Sequence, residues 1–276
     1  RHKSNYGYAQ GYNLALKKID YEHYVLLNSD IEVTDNWISS VIDLMDSDQS
    51  ISACQPKILD YNDKSRFEYA GASGGYLDRF GYPFCRGRIF DSLEKDLGQY
   101  NSISEVFWAT GACLFVRSSH FWKVDGLDVD FFAHQEEIDL CWRLKNNGYK
   151  VMVEPKSEVY HVGGGTLDAG SPFKTYLNFR NNLCMLFKNL PLPYLFSIIP
   201  IRLVLDGIAA LTFLNKKHGF SHLFSIFKAH FSFYFQLPNL IKKRMKINQK
   251  YSHTGKMNYS IILKSKIKGI KSFSSL

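Results

Sequence analysis

Carboxylates are missing from the last quarter of this sequence. Asp206 is the last acidic residue of the 276, and thirteen Lys and Arg follow it. Residues 1–206 hold the other 21 basic residues and all 26 Asp and Glu. The formal net charge of +8 is therefore concentrated at the C-terminal end. This distribution predicts an acidic body followed by a basic region that contacts an anionic partner.

Paired cysteines and a secretory signal peptide are also missing. The cysteines are odd in number, widely spaced and without a CxxC pair: Cys54, Cys85, Cys113, Cys141 and Cys184. This pattern argues against a zinc site or a disulfide framework and is typical of a reducing compartment. The first residue is Arg1 and not Met, so we expect that the natural N-terminus is absent.

Strand-like and helix-like segments alternate as far as about residue 170. A glycine-rich turn leads into the helical pattern "YNLALKKI", and the apolar run "HYVLL" follows as a strand. The runs "ISACQPKIL", "CLFVR", "KVMVEP" and "EVYH" read as four more strands, and "EEIDLCWRLKN" reads as a helix. This order predicts an α/β domain.

Polar residues follow the first apolar run, "HYVLLNSDIEV". Asn28, Asp30 and Glu32 lie where a buried parallel strand would end, and ligands of open α/β sheets bind at that edge. A carboxylate there suits a hard divalent cation, which prefers oxygen ligands. An Asp at a strand end is also common without any metal.

Three carboxylates crowd the segment "HQEEIDLCWR". Glu136, Glu137 and Asp139 lie within four positions of a run that is otherwise largely apolar. Acidic side chains at a helix N-terminus offset the positive end of the helix dipole, which is one explanation. An active site that holds a general base is the other.

Two glycine-containing segments also have alternative interpretations. The turn "NYGYAQGYN" could receive phosphate groups on backbone amides or could be a simple helix entry. His161 precedes a glycine run in "VYHVGGGT", where it could complete a carboxylate metal site or could be structural.

Apolar and aromatic residues dominate the chain from Phe173 onward. The stretch 190–214 is long enough to span a bilayer, but its prolines with Arg202 and Asp206 disfavour a simple crossing. Amphipathic helices that lie in the membrane interface are favoured. A soluble helical subdomain and a true span remain alternatives.

The order and spacing of these motifs resemble family 2 glycosyltransferases, in particular the bacterial rhamnosyl- and galactofuranosyl-transferase-like branch. The family pattern N-x-G-[FY]-A-x-G-x-N corresponds to residues 5–13, and its D-x-D-like motif corresponds to residues 28–30. A G-A-x-x-x-x-R strand corresponds to residues 111–117, and the block that ends in E-D-x-D-L-C-W-R corresponds to residues 126–143. With His161, the resemblance covers residues 5 to about 190.

The resemblance implies an inverting enzyme of GT-A fold, with a Rossmann-like, mostly parallel sheet that lacks its N-terminal strands. We expect a partial catalytic domain over 1–172, a helical membrane-associating region over 173–250, and a basic tail over 251–276. The missing strands would carry part of the nucleotide base pocket.

The resemblance also assigns site residues. Glu137 takes the position of the catalytic base, and Mg²⁺ or Mn²⁺ would be held by Asp30, Glu32 and His161. The implied donor-nucleotide contacts are Asn5, Gly7, Gly11, Asn13, Asn28 and Asp30. The implied acceptor-side residues are Trp108, Glu136 and Trp142, with core packing left open for Trp142.

Two of these positions depart from the family pattern. Asn28 replaces an Asp, and Glu137 replaces the second member of a Glu-Asp pair. Repulsion from Glu136 and Asp139 is expected to raise the pKa of Glu137 and so favour proton transfer.

The expected reaction transfers a sugar from a nucleotide-diphosphate donor to a saccharide or lipid-linked acceptor in bacterial cell-surface polysaccharide synthesis. The expected location is peripheral, on the inner face of the cytoplasmic membrane. A non-catalytic membrane-associated interaction protein is the alternative. A nucleic-acid partner is not expected, because the basic residues lie beside apolar helices. The oligomeric state is not predicted.

Overall fold

The computed structural model describes residues 4–163, 170–214, 218–250 and 253–276. In this part of the chain the three helices after residue 170 are the longest, with 18, 22 and 26 residues. The α-helices are α1 (Gly7–Leu16), α2 (Ser39–Ser47), α3 (Ser118–Lys123), α4 (Glu136–Asn146), α5 (Pro172–Asn189), α6 (Leu192–Phe213) and α7 (Gly219–Arg244).

The strands precede the long helices. They are β1 (His23–Leu27), β2 (Ile31–Val33), β3 (Ile51–Asp60), β4 (Gly75–Leu77), β5 (Pro83–Cys85), β6 (Arg88–Ile89), β7 (Ser92–Leu93), β8 (Ser104–Glu105), β9 (Cys113–Arg117) and β10 (Lys150–His161). The two predicted strands "KVMVEP" and "EVYH" form one continuous strand, β10, with a register irregularity between Glu154 and Glu158.

The main sheet is mixed, which corrects the prediction of a mostly parallel sheet. Its order is β1-β9-β3-β10-β2, and β8 also pairs with β10. Only β3 and β10 pair in parallel among the described strands, because β9 lies antiparallel between β1 and β3. Parallel neighbours need a crossover connection, usually a helix. Residues 61–112 are fully described and contain strands but no helix, so β9 enters in the opposite direction.

The core of this sheet forms around β3. Nine consecutive residues of β3 are buried, which is expected for a strand covered on both faces. Ile51, Cys54 and Ile58 pack with Phe115 of β9. On helix α2, Val41 and Met45 complete the same cluster, so this helix covers one face of the sheet.

A second sheet of four antiparallel strands, β4-β5-β6-β7, forms within the excursion that follows β3. The C-terminal segment packs against it. The Phe273 ring lies 4.7 Å from Tyr76 and 5.9 Å from Tyr100, between ring centroids. The Phe273 amide donates to Glu94 Oε1 at 2.7 Å. Part of the predicted basic tail is therefore folded onto this sheet.

The chain divides into two compact units that are interleaved in sequence. One unit consists of residues 1–11, 127–139 and 164–251. The other consists of residues 12–126, 140–163 and 252–276. We call them the helical unit and the sheet unit. The linear division at residues 172 and 250 stays a prediction.

Within the helical unit, α5 packs mainly against α7. The Phe187 and Phe233 rings lie 5.9 Å apart, and the Tyr176 hydroxyl donates to Ser232 Oγ at 3.0 Å. Arg244 at the end of α7 donates to the Phe187 carbonyl at 2.6 Å, near the end of α5. A cation at this position satisfies carbonyls that have no partner within their own helix.

Helix α6 is long and apolar enough to cross a membrane, and it is the one such helix among the described residues. Its most apolar window has a mean hydropathy of 1.8, yet only 28% of that window is buried. Arg202 and Asp206 are buried and contact each other at 3.3 Å. The charges predicted to disfavour a simple crossing are thus inside the helical unit.

We predict that Lys57 stabilises the sheet unit. Its buried ammonium lies 2.8 Å from Asp96 Oδ2 and 2.7 Å from Glu158 Oε1, and so joins β3 to β10 and to the excursion. Lys57→Met would leave these carboxylates without their cation. We expect the free energy of unfolding in urea to fall by about 3 kcal/mol.

The matched control is Lys64→Met. Lys64 pairs with Glu32 at 2.6 Å, but both side chains are about half exposed. Its loss should change stability by less than about 1 kcal/mol. Equal losses in the two variants would contradict the role assigned to Lys57.

Candidate active site

Asp30 and His161 lie side by side at the carboxyl edge of the main sheet. The pairings make β1, β3 and β10 run in the same direction, so their C-terminal ends share this edge. The chain leaves β1 at Asn28, and Ile31 of β2 pairs in register with His161. The Val162 amide donates to the Asp30 carbonyl at 3.0 Å. The strand pairing therefore creates the contact that the sequence predicts.

The His161 ring lies between two carboxylates. Its Nε2 is 3.3 Å from Asp30 Oδ1, and its Nδ1 is 3.2 Å from Glu68 Oε2. His161 and Glu68 are buried, whereas Asp30 is partly exposed. Burial lowers the pKa of His161, but the contacts with Glu68 and Asp30 outweigh it and raise this pKa above its ordinary value.

This arrangement fits a divalent cation on the Asp30 side of the ring. The two carboxylates face different ring nitrogens, so a single cation would not contact both through His161. Asp30 and His161 Nε2 supply the oxygen and nitrogen donors that Mn²⁺ accepts. Glu68 would accept the Nδ1 proton and thereby fix the tautomer that leaves Nε2 free to bind metal.

Glu32 and Asn28 occupy different surroundings. The Glu32 carboxylate pairs with Lys64, whose ammonium also lies 3.9 Å from the centre of the Tyr160 ring. The structure therefore does not bring the Glu32 side chain into the Asp30–His161 pair. The backbone amide of Asn28 donates to the Ala112 carbonyl at 2.9 Å. Its contact with the donor nucleotide stays a prediction.

A second group of ligand-type side chains lies at the other end of β1. Ligand atoms of Glu22, His23 and Asp46 are within 4.8 Å of one another. Arg117 already occupies this cluster, with guanidinium nitrogens 2.5 Å from Glu22 and 3.5 Å from Asp46. Burial, followed by the nearby Arg117 charge, lowers the pKa of His23. A fixed guanidinium at this position disfavours a second cation.

In the helical unit, Glu137 is the second residue of α4. The preceding loop contains three residues with positive φ: Phe132 at 63°, His134 at 69° and Gln135 at 73°. Such values are uncommon for residues other than glycine and often mark functional sites. The Oε2 atoms of Glu136 and Glu137 are buried, and in the described part of the chain neither has a hydrogen-bond partner.

Burial is the main reason that these carboxyl groups hold protons. It raises the pKa of Glu137 to about 7, although amides at the start of the helix partly oppose it. Burial raises the pKa of Glu136 well above its ordinary value, and repulsion from Glu137 and Asp139 adds to the effect. Repulsion was predicted to act on Glu137, and the structure instead assigns the larger effect to desolvation.

Asp139 is compensated by a buried cation. Lys188 of α5 lies 2.9 Å from Asp139 Oδ1 and also bonds to Asp128. Asn189 donates to the same Asp139 oxygen at 2.9 Å. This ion pair explains why repulsion from Asp139 is not the main influence on Glu137.

The predicted phosphate-binding turn opens α1 but has internal partners. The Asn5 side chain accepts a bond from the Gly7 amide at 2.9 Å. The Tyr8 and Ala9 amides both point to the Phe132 carbonyl, at 2.7 and 3.4 Å. Gly7 has φ of 71°, and a Cβ there would lie 2.6 Å from that carbonyl. Gly7 therefore permits this close approach, while its donor contact stays a prediction.

The other two residues of the turn differ in packing. A Cβ on Gly11 would have no neighbour within 4 Å, so the backbone there is open. Asn13 is buried, and its Oδ1 lies 2.8 Å from where a Cβ on Gly126 would be. Asn13 thus packs against the Gly126 turn within the sheet unit.

Both predicted acceptor-side tryptophans are in the core. Trp108 donates to the Tyr76 carbonyl at 3.0 Å and covers Gly75. Trp142 is fully buried, with its ring 5.3 Å from that of Phe107. Neither ring is exposed for stacking on a sugar. Core packing, which the sequence left open for Trp142, applies to both residues.

Comparisons with known proteins support the predicted class. Residues 1–114 match the model of the glycosyl transferase family 2. The chain is 23% identical over 185 residues to the low-salt glycan biosynthesis hexosyltransferase Agl10 of Haloferax volcanii. That match covers 64% of this chain and 56% of Agl10. It is 26% identical over 163 residues to the rhamnosyltransferase WbbL of Escherichia coli K12, which covers 56% of this chain and 61% of that protein.

A solved structure supports the fold. The chain superposes on GalNAc-T7, crystallised with UDP, GalNAc and Mn²⁺, with a TM-score of 0.53 and 13% identity. The match covers 70% of this chain and 36% of that one. The fold is therefore the α/β GT-A fold that the motifs predict, with a mixed sheet. Over residues 1–114 the chain is similar to family 2 glycosyltransferases.

Sequence reasoning missed two functional neighbours. Glu68 lies in "RFEYAGA", 93 positions before His161, and only the sheet brings them together. Lys188 is a single cation in the apolar run "LCMLFKNL". A lone charge in such a run is a signal for a buried ion pair, because an unpaired buried charge is costly.

We predict that Mn²⁺-linked binding of UDP depends on Asp30. Asp30→Ala should abolish the Mn²⁺-dependent part of the calorimetric binding signal, because the carboxylate ligand is lost. His161→Ala should weaken it less. Glu68→Gln should weaken it by about 10-fold or more, because the orienting partner of the ring is lost.

Glu32→Gln serves as the comparison for this series. With Glu32 paired to Lys64, we expect UDP affinity close to that of the wild-type protein. Unchanged Mn²⁺-linked binding in Asp30→Ala would contradict the assigned metal position. A loss confined to Glu32→Gln would transfer that position to Glu32.

Proposed function

We propose that this protein is an inverting glycosyltransferase. It moves a sugar from a nucleotide-diphosphate donor to a hydroxyl of a saccharide or lipid-linked acceptor in bacterial cell-surface polysaccharide synthesis. The observation that supports this best is the buried carboxylate of Glu137, which has a pKa of about 7 and an Oε2 atom without a described partner. The family match over residues 1–114 supports the reaction class.

Glu137 acts as the general base. Its carboxylate takes the proton of the acceptor hydroxyl while that oxygen forms a bond to the anomeric carbon. The bond between this carbon and the diphosphate oxygen breaks, and the nucleoside diphosphate leaves. Attack from the opposite face inverts the configuration. A base with a pKa near 7 is available in its ionised form at neutral pH and still holds a proton well.

Asp30 and His161 would hold the metal that accompanies the donor diphosphate. A bound Mg²⁺ or Mn²⁺ would offset the negative charge of the leaving diphosphate. Glu68 keeps the His161 ring in one tautomer. Donor contacts by Asn28 and by the turn at residues 5–13 belong to the same proposal.

The relatives support a hexose or deoxyhexose donor. Agl10 is a hexosyltransferase by name and WbbL is a rhamnosyltransferase. A protein of Mycobacterium tuberculosis, 41% identical over 56 residues, is an N-acetylglucosaminyl-diphospho-decaprenol L-rhamnosyltransferase. That match covers 20% of this chain and 18% of that protein. Its lipid-linked acceptor supports a similar acceptor class for this chain.

The membrane surface is the proposed location. Helix α7 carries an exposed row of aromatic side chains at helical spacing: Phe220, Phe224, Phe227, Phe231 and Phe235. Helix α6 exposes Phe196, Val204, Ile208 and Leu211 in the same way. Apolar helix faces of this extent suit the headgroup boundary of a bilayer. The protein would thus lie on the inner face of the cytoplasmic membrane, beside lipid-linked acceptors.

Only part of the basic region is available for lipid. Lys243 pairs with Asp130 at 2.6 Å and also with Asp128, and Arg244 bonds to carbonyls of α5. Lys228, Lys242 and Lys246 are exposed on or next to α7. Each exposed cation near an anionic surface contributes about 1 kcal/mol. The electrostatic contribution is therefore smaller than thirteen free charges would supply.

The non-catalytic alternative has one supporting observation. Two amides of the turn that could receive phosphate, those of Tyr8 and Ala9, point to the Phe132 carbonyl. A protein that binds membranes without transferring a sugar would tolerate this arrangement. Transfer assays of the Glu137 variant separate the two functions.

We predict that Glu137→Gln binds the donor but does not transfer its sugar. The amide keeps the shape of the side chain but accepts protons poorly. Transfer is measured as nucleoside-diphosphate release from a panel of UDP-hexoses and dTDP-rhamnose, and donor binding by calorimetry. In the wild-type protein, kcat/KM should rise with pH through about 7, as Glu137 ionises.

Glu136→Gln is the matched comparison. Near-normal turnover of Glu137→Gln beside an inactive Glu136→Gln would reverse the roles of the two residues.

Thermal stability gives a second readout for Glu137. The folded-state pKa of Glu137 is raised from 4.5 to about 7, so wild-type stability falls as pH rises through this window. Glu137→Gln lacks that loss, so its Tm advantage should grow from pH 5 to pH 8.

We predict that the protein sediments with anionic vesicles through the aromatic row of α7. The apolar contribution, about 25 cal/mol per Å² buried, is not screened by salt. The electrostatic contribution is screened. Binding should therefore fall with rising salt but not vanish. Phe224→Ser combined with Phe231→Ser should lower the salt-resistant fraction.

The matched control replaces an apolar residue that is equally exposed elsewhere. Leu97 is 82% exposed in the sheet unit, so Leu97→Ser should leave vesicle binding unchanged. Failure of the wild-type protein to sediment with anionic vesicles at low salt would contradict the membrane proposal and favour a soluble helical subdomain.

A further inference from the structure

The loop that precedes the proposed base has an unfavourable backbone. Phe132, His134 and Gln135 all have φ between 63° and 73°, in a region that side chains other than glycine rarely adopt. Such a conformation persists only where the surrounding structure imposes it. Helix α4 begins at the next residue, Glu136, and Glu137 is its second residue, so whatever imposes this loop also sets the start of α4.

The side-chain amide of Asn181 contacts three carbonyls of this loop. Its Nδ2 lies 3.0 Å from Phe131 O, 2.9 Å from Ala133 O and 2.7 Å from His134 O. The amide group has two hydrogens, so these carbonyls share them. Asn181 is fully buried on α5, and a buried amide is costly unless its bonds are made.

Arg180 supports both Asn181 and the loop. Its Nε donates to Asn181 Oδ1 at 2.8 Å, which orients the amide with Nδ2 toward the loop. Its Nη2 lies 3.0 Å from the carbonyls of Asp130 and Phe131. The guanidinium presents several donors in a fixed plane, so a lysine would not reproduce this set.

Asn182 extends the contact to the next helix. Its Nδ2 donates to Gln135 Oε1 at 3.2 Å, and its Oδ1 accepts a bond from Arg202 of α6. Arg202 in turn contacts Asp206, and His230 of α7 lies 3.5 Å from Asp206. Three consecutive polar residues of α5 thus connect the loop to the buried charges of α6.

We propose that Asn181, oriented by Arg180, is a positioning residue for the transfer reaction. It holds the left-handed loop at residues 132–135 so that α4 begins with the Glu137 carboxylate in one direction. This inference rests on the proposed role of Glu137. Small displacements of a catalytic group cost large factors in rate, since transfer needs a defined geometry.

The first test compares kcat with KM. Asn181→Asp keeps the shape of the side chain but places an acceptor oxygen against the loop carbonyls. Arg180→Lys is a milder variant, because Arg180 is partly exposed and the charge is kept. In both, we expect kcat on the donor panel to fall, by about 100-fold in Asn181→Asp, with the donor KM within about three-fold. Asn146→Asp is the control, because Asn146 is equally buried but bonds to His253 in the sheet unit.

The second test does not depend on turnover. The carboxyl group of Glu137 is titrated by NMR in protein labelled with ¹³C at Glu side chains, and its signal is assigned by loss in Glu137→Gln. Glu136 is the charged group that interacts with Glu137, and both it and the Lys188–Asp139 ion pair are unchanged in the Asn181, Arg180 and Asn146 variants. A loosened loop admits water, so the pKa should move from about 7 toward 4.5 in the Asn181 and Arg180 variants only.

The outcomes separate the two proposals. Activity in Glu137→Gln would reject the role of Glu137, whatever the Asn181 variants do. Suppose that Glu137→Gln is inactive, while Arg180→Lys and folded Asn181→Asp both keep the wild-type kcat and an unmoved Glu137 pKa. That result would overturn the positioning role alone. Equal shifts in Asn146→Asp would overturn it as well, because a general loss of stability would then explain them.

Discussion

The buried ion pair between Lys188 and Asp139 is the constraint on which the surroundings of the proposed base, Glu137, depend. Burying an uncompensated carboxylate in the first turn of α4 would be costly, and the ammonium of α5 removes that cost. The same cation bonds to Asp128, so α5 is tied to both ends of the segment 128–139. Because Asp139 is paired with Lys188, it does not add an unpaired negative charge beside Glu136 and Glu137. Desolvation is then the main influence that raises the pKa of Glu137.

The same logic applies to the carboxylates around His161. Glu68 is buried beside Nδ1, and Asp30 is partly exposed beside Nε2. One carboxylate therefore orients the ring, while the other remains accessible to a ligand. In the sheet unit, burial thus distinguishes the carboxylate that holds the ring from the carboxylate that a ligand can reach.

Helix α6 combines an exposed apolar face with a buried polar one. Arg202 and Asp206 are buried and contact each other, and Arg202 also bonds to Asn182, which explains how an otherwise apolar helix accommodates two charges. The exposed face is free of this network. One helix thus presents an exposed apolar face that suits lipid and buried polar residues whose network reaches the loop before Glu137. Each of these two features limits the substitutions that the helix can accept.

The amino-acid sequence alone determined the α/β class and the family motifs, and it pointed to Asp30, His161 and Glu137 as candidate site residues, because strand-end polarity and helix-start charge are local patterns. It did not determine the antiparallel entry of β9 or the burial of Trp108, which follow from pairing between distant segments. Glu68 and Asn181 were likewise invisible, since their partners lie far away in the chain. Only tertiary structure decides which side chains lose water, and desolvation sets the pKa of Glu137.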